Sequence, residues 1–69
     1  MSQEKVYYIL KDLGGTATTS EIIKAVKEKY PKDSLHTYVR SRLDALEKYH
    51  VLKLESRGKE NMWTIIGKF

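Results

Sequence analysis

Between Ser34 and Lys48 the sequence reads SLHTYVRSRLDALEK, which places Ser34, Thr37, Arg40, Ser41 and Lys48 on or beside the polar side of a predicted helix. Hydroxyls and a guanidinium in such a row suit hydrogen bonds to base edges, and a guanidinium can hold guanine O6 and N7 together. His36 stands in the same first turn, where it either faces water or reads a base. Further on, Arg57-Gly58-Lys59 forms the tip of a predicted hairpin, and its two cations suit phosphate oxygens. Thr19 and Ser20 open another predicted helix, whose free N–H groups and hydroxyls suit a phosphate. Lys32 and Lys48 complete the candidate backbone-contacting set.

Other chemistries find little support. There is no cysteine, and two histidines, His36 and His50, without an acidic cluster do not compose a zinc site. No Ser-His-Asp arrangement can be argued, and Gly14-Gly15 lacks the G-x-x-x-x-G-K-[ST] pattern of a phosphate loop. The expectation is a protein that is not an enzyme, with no cofactor, metal or small-molecule ligand. Sixty-nine residues allow one small core and little room for a deep pocket. The formal net charge is +4. Residues 1–33 contribute +1 and residues 34–69 contribute +3, so the excess lies with the candidate site. The first residues lack the pattern of a signal peptide, and no apolar run reaches membrane-spanning length, so a cytoplasmic location is expected, without membrane association. Abundant Lys and Glu with single Asn and Gln residues lean towards a thermophilic source.

The positioning elements follow from periodicity and punctuation. Val6, Ile9, Leu10 and Leu13 recur at i, i+3, i+4, i+7 and predict a first helix over residues 3–13, with Ser2 as a cap and Gly14-Gly15 as its stop. Tyr7 and Tyr8 flank this stripe, either as packing residues or as a dimer contact. Thr16-Ala17-Thr18 reads as a short extended link. Thr18 and Glu21 have capping-box spacing, which opens a second helix over 19–30 with Ile22, Ile23, Val26 and Tyr30 inward and Pro31 as its stop. Asp33 or Ser34 then caps a third helix over 34–49, with Leu35, Val39, Leu43 and Leu46 inward. Arg42 falls at the edge of that buried side, with its stem over the core. Asp44 tempers the positive face and pairs with Arg40 or Lys48 more readily than it reads a cytosine. A hairpin over 51–66 follows, with Leu52 and Leu54 set against Trp63 and Ile65 on its inner side. Residues 1–69 make a single domain of α+β class, mainly α.

The segments GGTATTSEI, YVRSRLDALEKYHVL and RGKENMWTI occur in the order helix, short strand, helix, turn, helix, two-stranded hairpin. In this the chain resembles the winged helix-turn-helix domains of small bacterial, archaeal, plasmid and viral transcription regulators, over about residues 3–66. The resemblance implies a recognition helix (34–49) in a major groove, with Ser34, His36, Thr37, Arg40 and Ser41 towards bases. It also implies a wing (51–66) whose Arg57 and Lys59 meet the backbone or a minor groove. ATTSEI and Trp63 are also similar to the Zα domains that bind left-handed duplexes. Here, however, His36, Arg40 and Asp44 stand where those domains carry Lys, Asn and Tyr, and the wing has no proline.

The expected function is sequence-specific binding of double-stranded DNA by a small transcription regulator. A domain of this size covers only roughly 600–1,000 Å² of DNA, which favours a homodimer, with Tyr7, Tyr8, Met62, Ile66 and Phe69 as its candidate surface. Two alternatives stand beside it: a winged-helix adaptor that binds protein, and a chromatin-type binder indifferent to sequence.

Overall fold

The structure, a computed structural model, describes residues 2–32 and 34–68, and for Ser2, Leu35 and Arg57 the backbone only. Among the described residues the order is α1 (Ser2–Asp12), β1 (Thr16–Thr18), α2 (Thr19–Lys29), a 3₁₀ turn (Ser34–Thr37), α3 (Val39–Lys48), β2 (Leu52–Arg57) and β3 (Glu60–Ile65). Three helices pack on a three-stranded antiparallel sheet of order β1-β3-β2, a mainly helical α+β fold. Asp33, and the side chains of Ser2 and Leu35, on which two expected caps and one inward position rest, lie outside what the structure describes.

Local chemistry explains most boundaries. At the end of α1 the Gly15 N–H donates to the Leu10 carbonyl at 3.0 Å and the Gly14 N–H to that of Lys11 at 3.1 Å. This Schellman closure needs a left-handed residue, and Gly14 supplies it with φ 97°. It also corrects the expectation for Leu13. The helical spacing places Leu13 on the apolar face, but α1 is already closing there and the side chain is 40% exposed. The capping box of α2 forms in both directions: Glu21 N–H donates to Thr18 Oγ1 at 3.2 Å, and Thr18 N–H donates to Glu21 Oε1 at 2.9 Å. Ile22 and Val26 are fully buried behind it, and the helix ends one residue before Tyr30-Pro31.

The third helix departs from the single helix expected over 34–49. Thr37 Oγ1 donates to the Ser34 carbonyl at 2.6 Å and tightens the first turn into a 3₁₀ form. Tyr38 (φ −111°, ψ 5°) then breaks the run, and α3 starts at Val39 without a side-chain cap. Its other end is firmly closed. Val51 N–H donates to the Leu46 carbonyl at 2.9 Å and His50 N–H to that of Glu47 at 3.0 Å, the same closure as in α1. Here the left-handed position is taken by His50, φ 61°, rather than glycine.

The strands pair as the alternation predicts: Leu52 opposes Ile65 and Leu54 opposes Trp63, while Ala17 flanks Trp63 from β1. Gly58 (φ 63°) leads a two-residue turn, a position that favours glycine in a II′ hairpin. Trp63 is fully buried and joins Val6, Leu10, Ile22, Val26, Val39, Leu43, Leu46 and Leu52 in one core. Leu54 is the exception on the inner side, 38% exposed although its strand neighbour Leu52 is buried. Alternation fixes which face a side chain takes, but it does not say whether helices extend over that part of the face. Tyr7 also belongs to the core, 9% exposed and edge-on to Tyr8 with ring centroids 5.4 Å apart.

Candidate nucleic-acid interface

The sheet register fixes the base of the site. Counting by alternation from the buried Trp63, Asn61 lies on the same inner face, one pleat nearer the hairpin tip and opposite Ser56. Trp63 reaches α2 through its indole, whose Nε1–H donates to Thr19 Oγ1 at 2.7 Å. That bond uses a lone pair of the Thr19 oxygen and leaves its proton available for an acceptor outside. Thr19 and Ser20 occupy the first turn of α2, where backbone N–H groups have no intrahelical partner and the helix dipole is positive.

Across from this helix start stand Arg40, in the first turn of α3, and Lys59 at the hairpin tip. Thr19, Ser20, Arg40, Lys59, Glu60 and Asn61 line one cleft of about 140 Å³. Four of these, Thr19, Ser20, Arg40 and Lys59, are candidates from the sequence, drawn from three elements far apart in the chain. Asn61 and Glu60 are additions. Asn61 was legible in principle from its even spacing to Trp63. Two cations and one carboxylate line the cleft, together with amide and hydroxyl donors, a composition that suits an anionic oxygen. Arg40 Nε lies 4.0 Å from Asp44 Oδ1, and both side chains are more than 60% exposed. This pair is worth only about a few tenths of a kcal/mol, so it orients Arg40 without sequestering it. The capping carboxylate of Glu21 is held below its ordinary value near 4.5, first by the Thr18 backbone N–H and then by the Thr18 hydroxyl.

The remaining candidates are spread more widely. Ser41 is exposed beside Arg40 on α3, whereas Ser34, His36 and Thr37 belong to the 3₁₀ turn on the other side of Tyr38. The expected base-reading row is therefore divided, because the break at Tyr38 changes the helical phase. Ser34 and Lys32 line a separate groove of about 560 Å³ with Tyr30 and Pro31, where α2 gives way to the 3₁₀ turn. Lys48 is exposed in the last turn of α3, about 12 Å along the axis from Arg40 at 1.5 Å per residue. Arg42 is half-buried, with its guanidinium 5.8 Å from the centre of the Tyr38 ring, so it braces the start of α3. The side chain of Arg57 lies outside the described residues.

Of the expected dimer surface, Tyr8 and Ile66 are more than half exposed and Met62 is partly buried, while Phe69 lies outside the described residues. Tyr7 is withdrawn from that surface: its neighbours Val6, Ile9 and Leu10 turn it inward with them. Among the described residues no cluster of His, Asp and Glu is placed to hold a metal ion, and no helix is long and apolar enough to cross a membrane.

No family model matches this chain, and comparison with curated proteins and with solved structures returns no significant match. The class rests on the fold: a small, mainly helical α+β domain with three helices and a three-stranded antiparallel sheet, compatible with a winged helix.

Proposed function

We propose that this protein is a winged-helix domain that binds double-stranded DNA in a sequence-dependent way and acts as a small transcription regulator. The reading rests chiefly on one observation. The start of α2, the first turn of α3 and the tip of the β2–β3 hairpin present Thr19, Ser20, Arg40 and Lys59 around a single polar cleft. In this reading α3 lies in the major groove with Arg40 and Ser41 towards base edges. Ser34, His36 and Thr37 approach from the preceding turn, and the hairpin is the wing. Thr19, Ser20 and Lys59 hold the phosphate backbone beside the groove, and Lys32 and Lys48 add cations at its flanks.

The division at Tyr38 sharpens the assignment. Thr37 commits its proton to the Ser34 carbonyl, so it can only accept from a base, while Arg40 retains several donors. Sequence preference is therefore concentrated on Arg40. Fluorescence anisotropy with labelled duplexes, first from a random pool and then from its selected sequences, tests this across a salt series. Binding should weaken steeply with salt as counterions are released. Arg40→Ala should cost about 1–3 kcal/mol on a selected duplex and much less on a random one. Lys59→Ala should weaken both equally and lower the salt slope by about 1. Absence of any salt-dependent binding would overturn the reading, and an unchanged preference in Arg40→Ala would remove α3 from the base-reading role.

A further inference from the structure

β2 is an outer strand, since the order β1-β3-β2 gives it one strand neighbour among the described residues. The two-residue turn makes Arg57–Glu60 a hydrogen-bonded pair of the ladder, and the pattern alternates from there. Glu55 and Lys53 therefore direct their backbone groups to β3, and the Ile66 N–H bond to the Val51 carbonyl at 2.9 Å keeps the same phase. The N–H and C=O of Leu54 and Ser56 consequently point to the open edge. Leu52 shares this phase but is covered, 1% exposed, so the accessible edge begins at Lys53. On the outer face of this edge Lys53 Nζ and Glu55 Oε1 lie 3.5 Å apart. On the inner face Leu54 leaves more than a third of its surface exposed.

We propose that this edge pairs with the same edge of a second copy of the chain, antiparallel about a two-fold axis at Leu54. The phase of the ladder, the charges and the exposed Leu54 select this register together: pairing about Ser56 keeps the phase and sets Glu55 opposite Arg57, but it leaves Leu54 opposite Gly58. With Leu54 opposite Leu54, the two residues exchange both outward hydrogen bonds, and their half-exposed side chains meet on one face. Lys53 of each copy then opposes Glu55 of the other in the close, non-hydrogen-bonded position, with Cα atoms about 4.5 Å apart. The intrachain pair of each strand becomes part of a four-charge cluster of alternating sign. A slip that places Glu55 opposite Glu55 also sets Lys53 against Arg57, so every charged position meets its own sign. Covering an open edge with an identical edge also removes the hazard of indiscriminate strand pairing. This surface differs from one built on Tyr8, Met62 and Ile66, and it does not depend on the DNA reading.

Sedimentation equilibrium of the whole chain without DNA, up to the high-micromolar range, tests the pairing. The wild type should dimerise reversibly. Lys53→Glu and Glu55→Lys should each weaken association by about tenfold or more, because each sets like charges opposite one another twice. An equimolar mixture of the two variants should recover wild-type association, since each Glu of one copy then faces a Lys of the other. Leu54→Pro, which removes an outward N–H and the side chain that meets its copy but no hydrogen bond of the β2–β3 ladder, should abolish dimerisation while the circular dichroism spectrum stays that of a folded chain. A wild type that stays monomeric, single variants that associate as tightly as wild type, or a mixture no tighter than its components would each overturn the proposal.

Discussion

Helices α2 and α3 contribute side by side to the candidate interface, yet they are secured at opposite ends. The first turn of α2 is closed by the reciprocal Thr18–Glu21 box and is tied to the core through Trp63 Nε1 and Thr19 Oγ1 at 2.7 Å. The first turn of α3 has no side-chain cap and follows a 3₁₀ turn, but its last turn is closed by His50 and by Val51, which packs in the core with Leu46. The difference separates two tasks. The end that would hold a phosphate is fixed in advance, so little conformational entropy remains to be lost there on binding. In the proposed reading the end that meets base edges carries Arg40 and Ser41 and has no such cap; the buried Val39 and Arg42 against Tyr38 hold it instead.

The largest expected effect comes from removing the anchor of α2. Trp63→Ala empties the centre of the core and should cost about 3–5 kcal/mol in urea denaturation, a large share of the stability of a domain this small. Trp63→Phe is the more discriminating change, because it keeps a ring but strips Thr19 of its donor, worth about 1 kcal/mol for the bond alone. If the α2 start is held as described, Trp63→Phe should weaken duplex binding by more than its loss of stability, from the bond and the smaller ring together, accounts for. Equal DNA affinity at full folding would show that the position of Thr19 is set by the backbone alone.

Next in size is the box itself. Thr18→Ala removes the oxygen that accepts from Glu21 N–H and should cost about 1 kcal/mol. No comparable loss can be produced at the start of α3, where there is no cap to delete, and that asymmetry is itself measurable. The same contrast explains what was legible beforehand. The box of α2, the glycine stop of α1 and the pairing of Leu54 with Trp63 each depend on residues close in sequence or on strict alternation, and the sequence carries both kinds of signal. The break at Tyr38 had no such marker. Val39, Leu43 and Leu46 keep helical spacing with Leu35, and a 3₁₀ turn differs from an α-turn only in how a few hydrogen bonds close. The Thr37 hydroxyl decides that locally, at an energy too small for a pattern of residue types to reveal. Leu13 and Leu54 failed for another reason: periodicity gives a face, whereas burial depends on which elements cover it. The cleft was legible as residues and not as a place, since Thr19, Arg40 and Lys59 meet only when α2, α3 and the hairpin pack together.

A third change sharpens the comparison from the far end of α3. His50 holds φ 61°, a conformation that costs a side chain about 1 kcal/mol relative to glycine. His50→Gly should therefore stabilise the fold by up to about 1 kcal/mol, less whatever the more flexible unfolded chain gains in entropy. Its effect on DNA binding should be negligible if the closure at that end serves only to secure α3. A loss of affinity without a loss of stability would place His50 itself at the interface.

The smallest effect concerns the charge in the α2 cap. The Thr18 N–H and hydroxyl both donate to Glu21 Oε1 and so favour the ionised carboxylate, which lowers its pKa in the folded protein. Unfolding releases these bonds and returns the group to its ordinary value near 4.5. The unfolded chain then binds the proton more readily than the folded one, so protonation favours unfolding. The stabilisation is fully present above the ordinary value and is lost as pH falls through the depressed folded value. Glu21→Gln retains an oxygen that accepts from the Thr18 N–H but cannot titrate. Urea midpoints of wild type and Glu21→Gln, compared from about pH 7 down to about pH 3, should therefore differ most at neutrality and converge in acid. Because every other carboxylate is common to both proteins, the narrowing isolates the cap. A gap that stays constant with pH would mean that geometry alone, and not charge, secures the end of α2 that borders the cleft.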